Sequence, residues 1–210
     1  MTRSAPNKGH KYPPQPLTVD EAQRLIDTIK GNGALAVRNR ALIAFMWRSG
    51  LRVSETLALK PADVDVDNGA VRVLDGKGRK DRVSAFDSRA QGYLRAWLEV
   101  RKGLGLNGRQ RLFCSVSNGR TRKPGEPLHP SYLRKLLPKL ADKAEIDKRV
   151  HPHGLRHTHA KEALERRTQL NVISGQLGHS SSATTDTYLQ KLTGDDVIAG
   201  MRQPGFTLDD

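Results

Sequence analysis

The stretch from Ala36 to Arg48 sets the tightest limit on the fold. Leu42, Ile43, Phe45, Met46 and Trp47 lie within it, too many and too closely spaced for one face, so a helix here buries most of its surface. Ser49-Gly50 breaks that helix. A further one begins at Arg52 or Val53, runs to Leu59 and exits at Pro61. An earlier helix opens at Thr18, a good N-cap, with Glu21 three residues on in the capping-box pattern. Ala22, Leu25, Ile26 and Ile29 follow at helical spacing, and Gly31-Asn32-Gly33 ends the segment.

The periodicity then becomes alternating. Val64 and Val66, then Val71 and Val73, then Val83 and Ala85 with Phe86, predict a small three-stranded meander. Its turns are Asp67-Asn68-Gly69 and Gly76-Lys77-Gly78-Arg79-Lys80-Asp81. Asp87-Ser88 caps a helix carrying Tyr93, Leu94, Trp97, Leu98 and Val100, and residues 103–125 read as loop around the apolar Leu112-Phe113-Cys114. Pro130 to Ala144 reads as a helix with a kink at Pro138. Shorter helices are expected over 154–165, 170–177, 182–189 and 195–201. The fold class is α+β, mainly helical, with one small antiparallel sheet and no internal repeat.

Charge narrows the partner. The 210 residues hold 36 Lys and Arg against 22 Asp and Glu, a net charge of +14. Such an excess favours a polyanion, and nucleic acid leads because neutralising phosphates releases counterions. No long Lys/Arg-studded amphipathic stripe speaks for a membrane surface. No stretch is long and apolar enough to span a bilayer, and the N-terminus has no signal core. A lone cysteine, Cys114, excludes an internal disulfide and a multi-cysteine zinc site. These features predict an intracellular protein. Residues 1–16, rich in Pro and Lys, read as a flexible basic arm.

Several residues could carry chemistry. Arg52 follows a glycine turn and stands at a helix N-terminus, where amides and dipole suit phosphate and a guanidinium can grip two oxygens. Glu55, three residues on, could orient it, although an exposed Arg–Glu pair is the ordinary reading of such a spacing alone. Lys77 sits at a Gly-Lys-Gly hairpin tip and could swing into a groove to donate a proton, while Lys80 and Arg82 read as phosphate-contacting surface. His153, Arg156, His157 and His159 are densely clustered, with 153, 156 and 157 on one helical face. His153 and His157 have zinc-ligand spacing, but Gly154 replaces the glutamate of a zinc protease motif, so a phosphate clamp fits better. Tyr188, nine positions after His179, is the candidate nucleophile; its phenol needs neighbouring cations or a base to attack at neutral pH.

These pieces, in this order, resemble the catalytic domain of the tyrosine recombinases, the phage-type integrases. Ser-Gly-Leu-Arg52-Val-Ser-Glu looks like the first arginine box, and the Lys77 hairpin like the family's lysine-bearing turn. His153-Gly-Leu-Arg156 matches the His-x-x-Arg box, Leu-Gly-His179 the third-position histidine and Tyr188 the nucleophile. The resemblance covers about residues 17–190 and implies that family's fold. It implies catalytic roles for Arg52, Lys77, His153, Arg156, His179 and Tyr188, a 3′-phosphotyrosyl intermediate, and no need for metal or ATP. It implies double-stranded DNA as partner, a homo-tetramer on DNA, accessory DNA-binding proteins as possible helpers, and a cytoplasmic, nucleoid-associated location. Arg120, Arg122 and Lys123 would contact DNA at most.

Most members carry an N-terminal core-binding domain ahead of the catalytic one. Here a sixteen-residue arm precedes the first catalytic-domain helix, a layout similar to fimbrial-switch invertases, and weaker or partner-dependent DNA binding is expected. The strand after the lysine turn lacks the proline many relatives show. Residues 191–210 would form a tail docking on a neighbouring subunit through Val197, Ile198 and Met201. Two alternatives stay open: a type IB-like topoisomerase, and a recombinase-derived DNA-binding accessory protein that does not cleave.

Overall fold

The computed structural model describes residues 15–74, 81–116 and 123–178. Seven helices and one sheet occupy them: α1 Val19–Asp27, α2 Ala34–Ser49, α3 Val53–Ala58, α4 Ser88–Gly103, α5 Ser131–Lys143, α6 Pro152–Glu165 and α7 Leu170–Leu177. Between α3 and α4 lie a 3₁₀ turn, Pro61–Asp63, and strands β1 Val64–Asp65, β2 Ala70–Val73 and β3 Arg82–Ala85. The sheet is an antiparallel meander in the order β1-β2-β3. The basic arm through residue 14, the Lys77 turn, residues 117–122 and everything from His179 onward lie outside the described residues.

Local chemistry sets the helix ends. Thr18 Oγ1 accepts from the Glu21 amide while Glu21 accepts from the Thr18 amide, the reciprocal capping box read from the sequence. Asp87 caps α4 by accepting from the Ala90 amide. His151 caps α6, its Nδ1 accepting from the Gly154 amide, with Pro152 in the first turn where no N–H is needed. Pro138 stands inside α5.

Helix α2 is the axis of the core. Every residue from Ala41 to Leu51 is buried, and α1, α4 and α6 enclose it. Phe45 meets Phe86 edge-on, with ring centroids 5.1 Å apart, and Phe113 at 5.8 Å. Cys114 is fully buried in the same cluster. At the end of α2 a charge is buried too. Arg48 pairs with Glu162 of α6 at 2.7 Å and with Asp87 ahead of α4 at 2.5 Å, and its guanidinium lies over the Trp47 ring. Burial opposes a charge here, and the two carboxylates outweigh it.

Strand β3 departs from the reading by alternation. Val83 is 68% exposed and Ala85 is exposed, while Ser84 is buried and Arg82 half-buried. The register pairs Ser84 with Val71 and Arg82 with Val73, so the polar residues of β3 share the inward face. What meets them there is polar: Glu55 of α3 and the last turn of α7.

Candidate active site

The turn from α2 to α3 builds the first part. Gly50 ends α2 in the left-handed region at φ 64°, and a Cβ there would stand 2.6 Å from the His159 ring and 2.9 Å from Leu177. Glycine is therefore demanded by backbone and by space. Leu51 is buried, which pins the turn, and Arg52 becomes the residue ahead of α3. Glu55 Oε2 accepts from the Arg52 amide at 2.8 Å, and Oε1 accepts from Arg52 Nη1 at 2.8 Å. The Arg–Glu pair expected from the spacing is thus present. It is not an exposed pair, because the Glu55 side chain is only 8% exposed.

Arg156 binds this turn to α7. Its Nη1 donates to the Gly50 carbonyl at 2.8 Å and its Nη2 to the Leu177 carbonyl at 2.7 Å. Arg52 Nη2 reaches the Gly178 carbonyl at 3.3 Å. Both arginines are therefore hung on the backbone that leads into His179. Burial, then the nearby Arg52, lowers the Arg156 pKa to about 10, which leaves it charged at neutral pH. His153 stands at the exposed rim of α6, its ring edge-on to buried His157 at 4.2 Å. Burial, then the charges of Arg156, His151 and Arg52, lower its pKa, so it is neutral and able to accept a proton at pH 7. Among the described residues no group of three or more His, Cys, Asp and Glu is set to hold a metal ion.

One candidate from the sequence is placed differently. Arg82, read as phosphate-contacting surface, turns inward: its side chain is 13% exposed and both Nη atoms donate to Glu55, at 3.1 and 2.9 Å. The strand's parity, which gives the inner face to positions 82 and 84, is the cause. His159, which helical spacing leaves off the face shared by His153, Arg156 and His157, packs against Gly50. Lys123 is exposed. Lys77, Lys80, Arg120, Arg122, His179 and Tyr188 lie outside the described residues. Gln176 was not singled out from the sequence. Its Nε2 donates to the carbonyls of Ser49 and Ala85 at 3.0 and 2.6 Å, and its Oε1 accepts from the Ala85 amide at 2.9 Å. Ser84 Oγ donates to the Gln176 carbonyl, so α7 is stitched to β3 and to the end of α2. Gln176 shares α7 with the polar Asn171 and Ser174, so nothing in the local sequence set it apart.

His159 gives a stability prediction. Burial, then the Arg48 charge, hold its pKa at about 4, against an ordinary 6.5, although Glu162 and a hydrogen bond to the Trp47 backbone pull upward. A depressed histidine means the unfolded chain binds the extra proton first. Stability should therefore fall as pH drops from about 6.5 to about 4, by on the order of 2 kcal/mol after allowance for partial exposure. Urea unfolding across that range is expected to show the slope, and His159→Gln to flatten it.

The model of the phage integrase family matches residues 15–194. This chain belongs to the phage integrase family. Tyrosine recombinase XerC of Halalkalibacterium halodurans is 36% identical over 189 residues, which cover 86% of this chain and 59% of the relative. Tyrosine recombinase XerD of Ralstonia nicotianae is 37% identical over 184 residues, 85% of this chain and 57% of the relative. The chain thus spans less than two thirds of the length of these curated relatives. Among solved structures, XerA recombinase superposes with a TM-score of 0.76 at 30% identity, covering 95% of this chain and 68% of that one. XerH site-specific recombinase, in a post-cleavage complex with its palindromic difH substrate, gives 0.72 at 26% identity, covering 91% and 54%. The mainly helical fold with its three-stranded antiparallel sheet is the integrase-family catalytic fold.

Proposed function

We propose that this chain cuts and rejoins double-stranded DNA at a specific site through a 3′-phosphotyrosyl intermediate. The observation that carries the reading is the convergence of Arg52 and Arg156 on the backbone entering His179, with neutral His153 close enough to feel both charges. Two guanidiniums fixed around one point suit the non-bridging oxygens of a phosphodiester as charge builds on them. Tyr188 Oη forms the new bond to phosphorus as the bond to the 5′ oxygen breaks. His153 takes the phenol proton, Lys77 gives a proton to the departing oxygen, and His179 hydrogen-bonds the phosphate. Rejoining reverses these steps. The phosphodiester energy stays in the phosphotyrosine, so the scheme calls for neither ATP nor a metal.

The similarity to XerC, XerD and XerH supports site-specific recombination as the outcome, on a homo-tetramer that holds two duplexes. The net charge of +14 supports DNA as the partner. No helix among the described residues is long and apolar enough to cross a membrane, and a site of action on the nucleoid follows from the DNA substrate.

Covalent capture tests the reading. The protein is mixed with fragmented genomic DNA of its source and denatured, and protein-linked fragments are sequenced. Adducts are expected with the unsubstituted protein and none with Tyr188→Phe, at equal DNA affinity. DNA binding without any adduct would favour the non-cleaving accessory reading. Efficient relaxation of supercoiled DNA without sequence preference would favour the topoisomerase.

A further inference from the structure

We propose that Arg82 is a positioning residue for strand cleavage, one that satisfies Glu55 from behind so that the charge of Arg52 is left for the phosphate. The proposal rests on the cleavage reading above and adds a residue to it.

Glu55 accepts four hydrogen bonds: from the Arg52 amide, from Arg52 Nη1, and from Nη1 and Nη2 of Arg82. The last two form the planar fork in which a guanidinium grips a carboxylate. Exposure differs across the trio. The Glu55 side chain is 8% exposed and Arg82 13%, while Arg52 is 29% exposed and forms the outer layer. One carboxylate thus stands between two cations, with Arg156 as a third nearby.

Charge makes the arrangement useful. A lone Arg52–Glu55 pair would be close to neutral, and an incoming phosphate would have to compete with the carboxylate for the guanidinium. Arg82 supplies the charge that balances Glu55, so Arg52 and Arg156 remain uncompensated beside the Gly178 carbonyl. Glu55 still orients Arg52, because the carboxylate is itself fixed from the other side.

Arg82 has a second contact that ties the parts together. Its guanidinium lies against Gly178, where a Cβ would stand 2.7 Å from both Cζ and Nε, and Gly178 adopts φ 64°. Arg82 Nε is buried there without a hydrogen-bond partner among the described residues. The side chain therefore accepts a desolvation cost in order to hold this place. The first residue of β3 follows the Lys77 turn in sequence, and Gly178 immediately precedes His179. Arg82 is where the chain leaving the one meets the chain entering the other.

The test measures cleavage and binding separately, by single-turnover adduct formation on a nicked target duplex and by DNA titration. Arg82→Met is expected to slow adduct formation about 100-fold, the scale of a misplaced reacting group, with DNA affinity changed by no more than about threefold. Arg82→Lys keeps the charge, loses the fork, and should fall in between. The deciding variant is Arg82→Met with Glu55→Gln. Neutralising residue 55 removes the charge that would compete for Arg52, so the double variant should cleave about tenfold faster than Arg82→Met alone. A merely structural role predicts that the double variant is slower than either single one, and that result overturns the proposal. So does adduct formation by Arg82→Met at the unsubstituted rate. If Arg82→Met does not fold, the neutral Arg82→Gln, alone and with Glu55→Gln, carries the same comparison. Absence of a Tyr188-dependent adduct in the unsubstituted protein would instead sink the cleavage reading, and this proposal with it.

Discussion

Arg156→Lys is expected to slow formation of the covalent DNA complex by about 10²- to 10³-fold, the usual cost of losing one preorganised charged donor at a phosphoryl or acyl site. The reason lies in how the side chain is hung. One guanidinium spans the carbonyls of Gly50 and Leu177 at 2.8 and 2.7 Å, joining the α2–α3 turn to the end of α7. An ammonium gathers its three N–H groups on one nitrogen and lacks the planar two-nitrogen fork that reaches both carbonyls here. One of the two buried acceptors would lose its partner, at about 1–3 kcal/mol, and the turn carrying Arg52 would drift from the turn entering His179. Single-turnover cleavage and urea unfolding on the same variant separate the two effects. Cleavage within a few-fold of the unsubstituted rate would remove Arg156 from the proposed mechanism.

Glu55→Ala should cost about 3 kcal/mol of stability at neutral pH and should also lower cleavage. The carboxylate pKa is held at about 2 against an ordinary 4.5: burial pushes it upward, and the hydrogen bonds from Arg82 and Arg52 more than reverse that push. A depressed carboxylate contributes stability that is complete above its unfolded pKa and is lost as pH falls through the folded one. The gap between the two proteins should therefore be full at pH 7, begin to close below about pH 4.5, and be nearly gone near pH 2. Urea unfolding at pH 7 and pH 3 measures it. An unchanged gap at pH 3 would mean that the loss comes from packing and not from the ionised carboxylate. Cleavage should fall because Arg52 loses the group that aims it, while Arg52 and Arg82 lose the carboxylate to which both donate.

The sequence made local features legible and left tertiary ones hidden. The Thr18–Glu21 box, the Gly50 break and the Arg52–Glu55 pair are each written within a few residues, so spacing alone predicts them. The catalytic-domain fold was legible from the order of the boxes. Arg82 was not, because alternation in a four-residue strand has two parities, and the apolar pair Val83 and Ala85 pointed to the wrong one. Only Glu55 and α7, far off in sequence, make the polar face of β3 the inner face. Arg48 shows the same limit. A charge at the end of an apolar helix reads as its exposed terminus until Glu162, 114 residues away, is seen beside it.

The stitch made by Gln176 has a consequence for how copies of this protein can meet. Strand β3 lies at the edge of the sheet, and such an edge ordinarily offers a row of unsatisfied amides and carbonyls to any passing strand. Here the Gln176 amide occupies both the N–H and the C=O of Ala85, taking the place of a neighbouring strand's peptide group. With that pair taken, the outward edge of a four-residue strand is too short to template a partner. A sheet that grows from molecule to molecule is thereby disfavoured at this side.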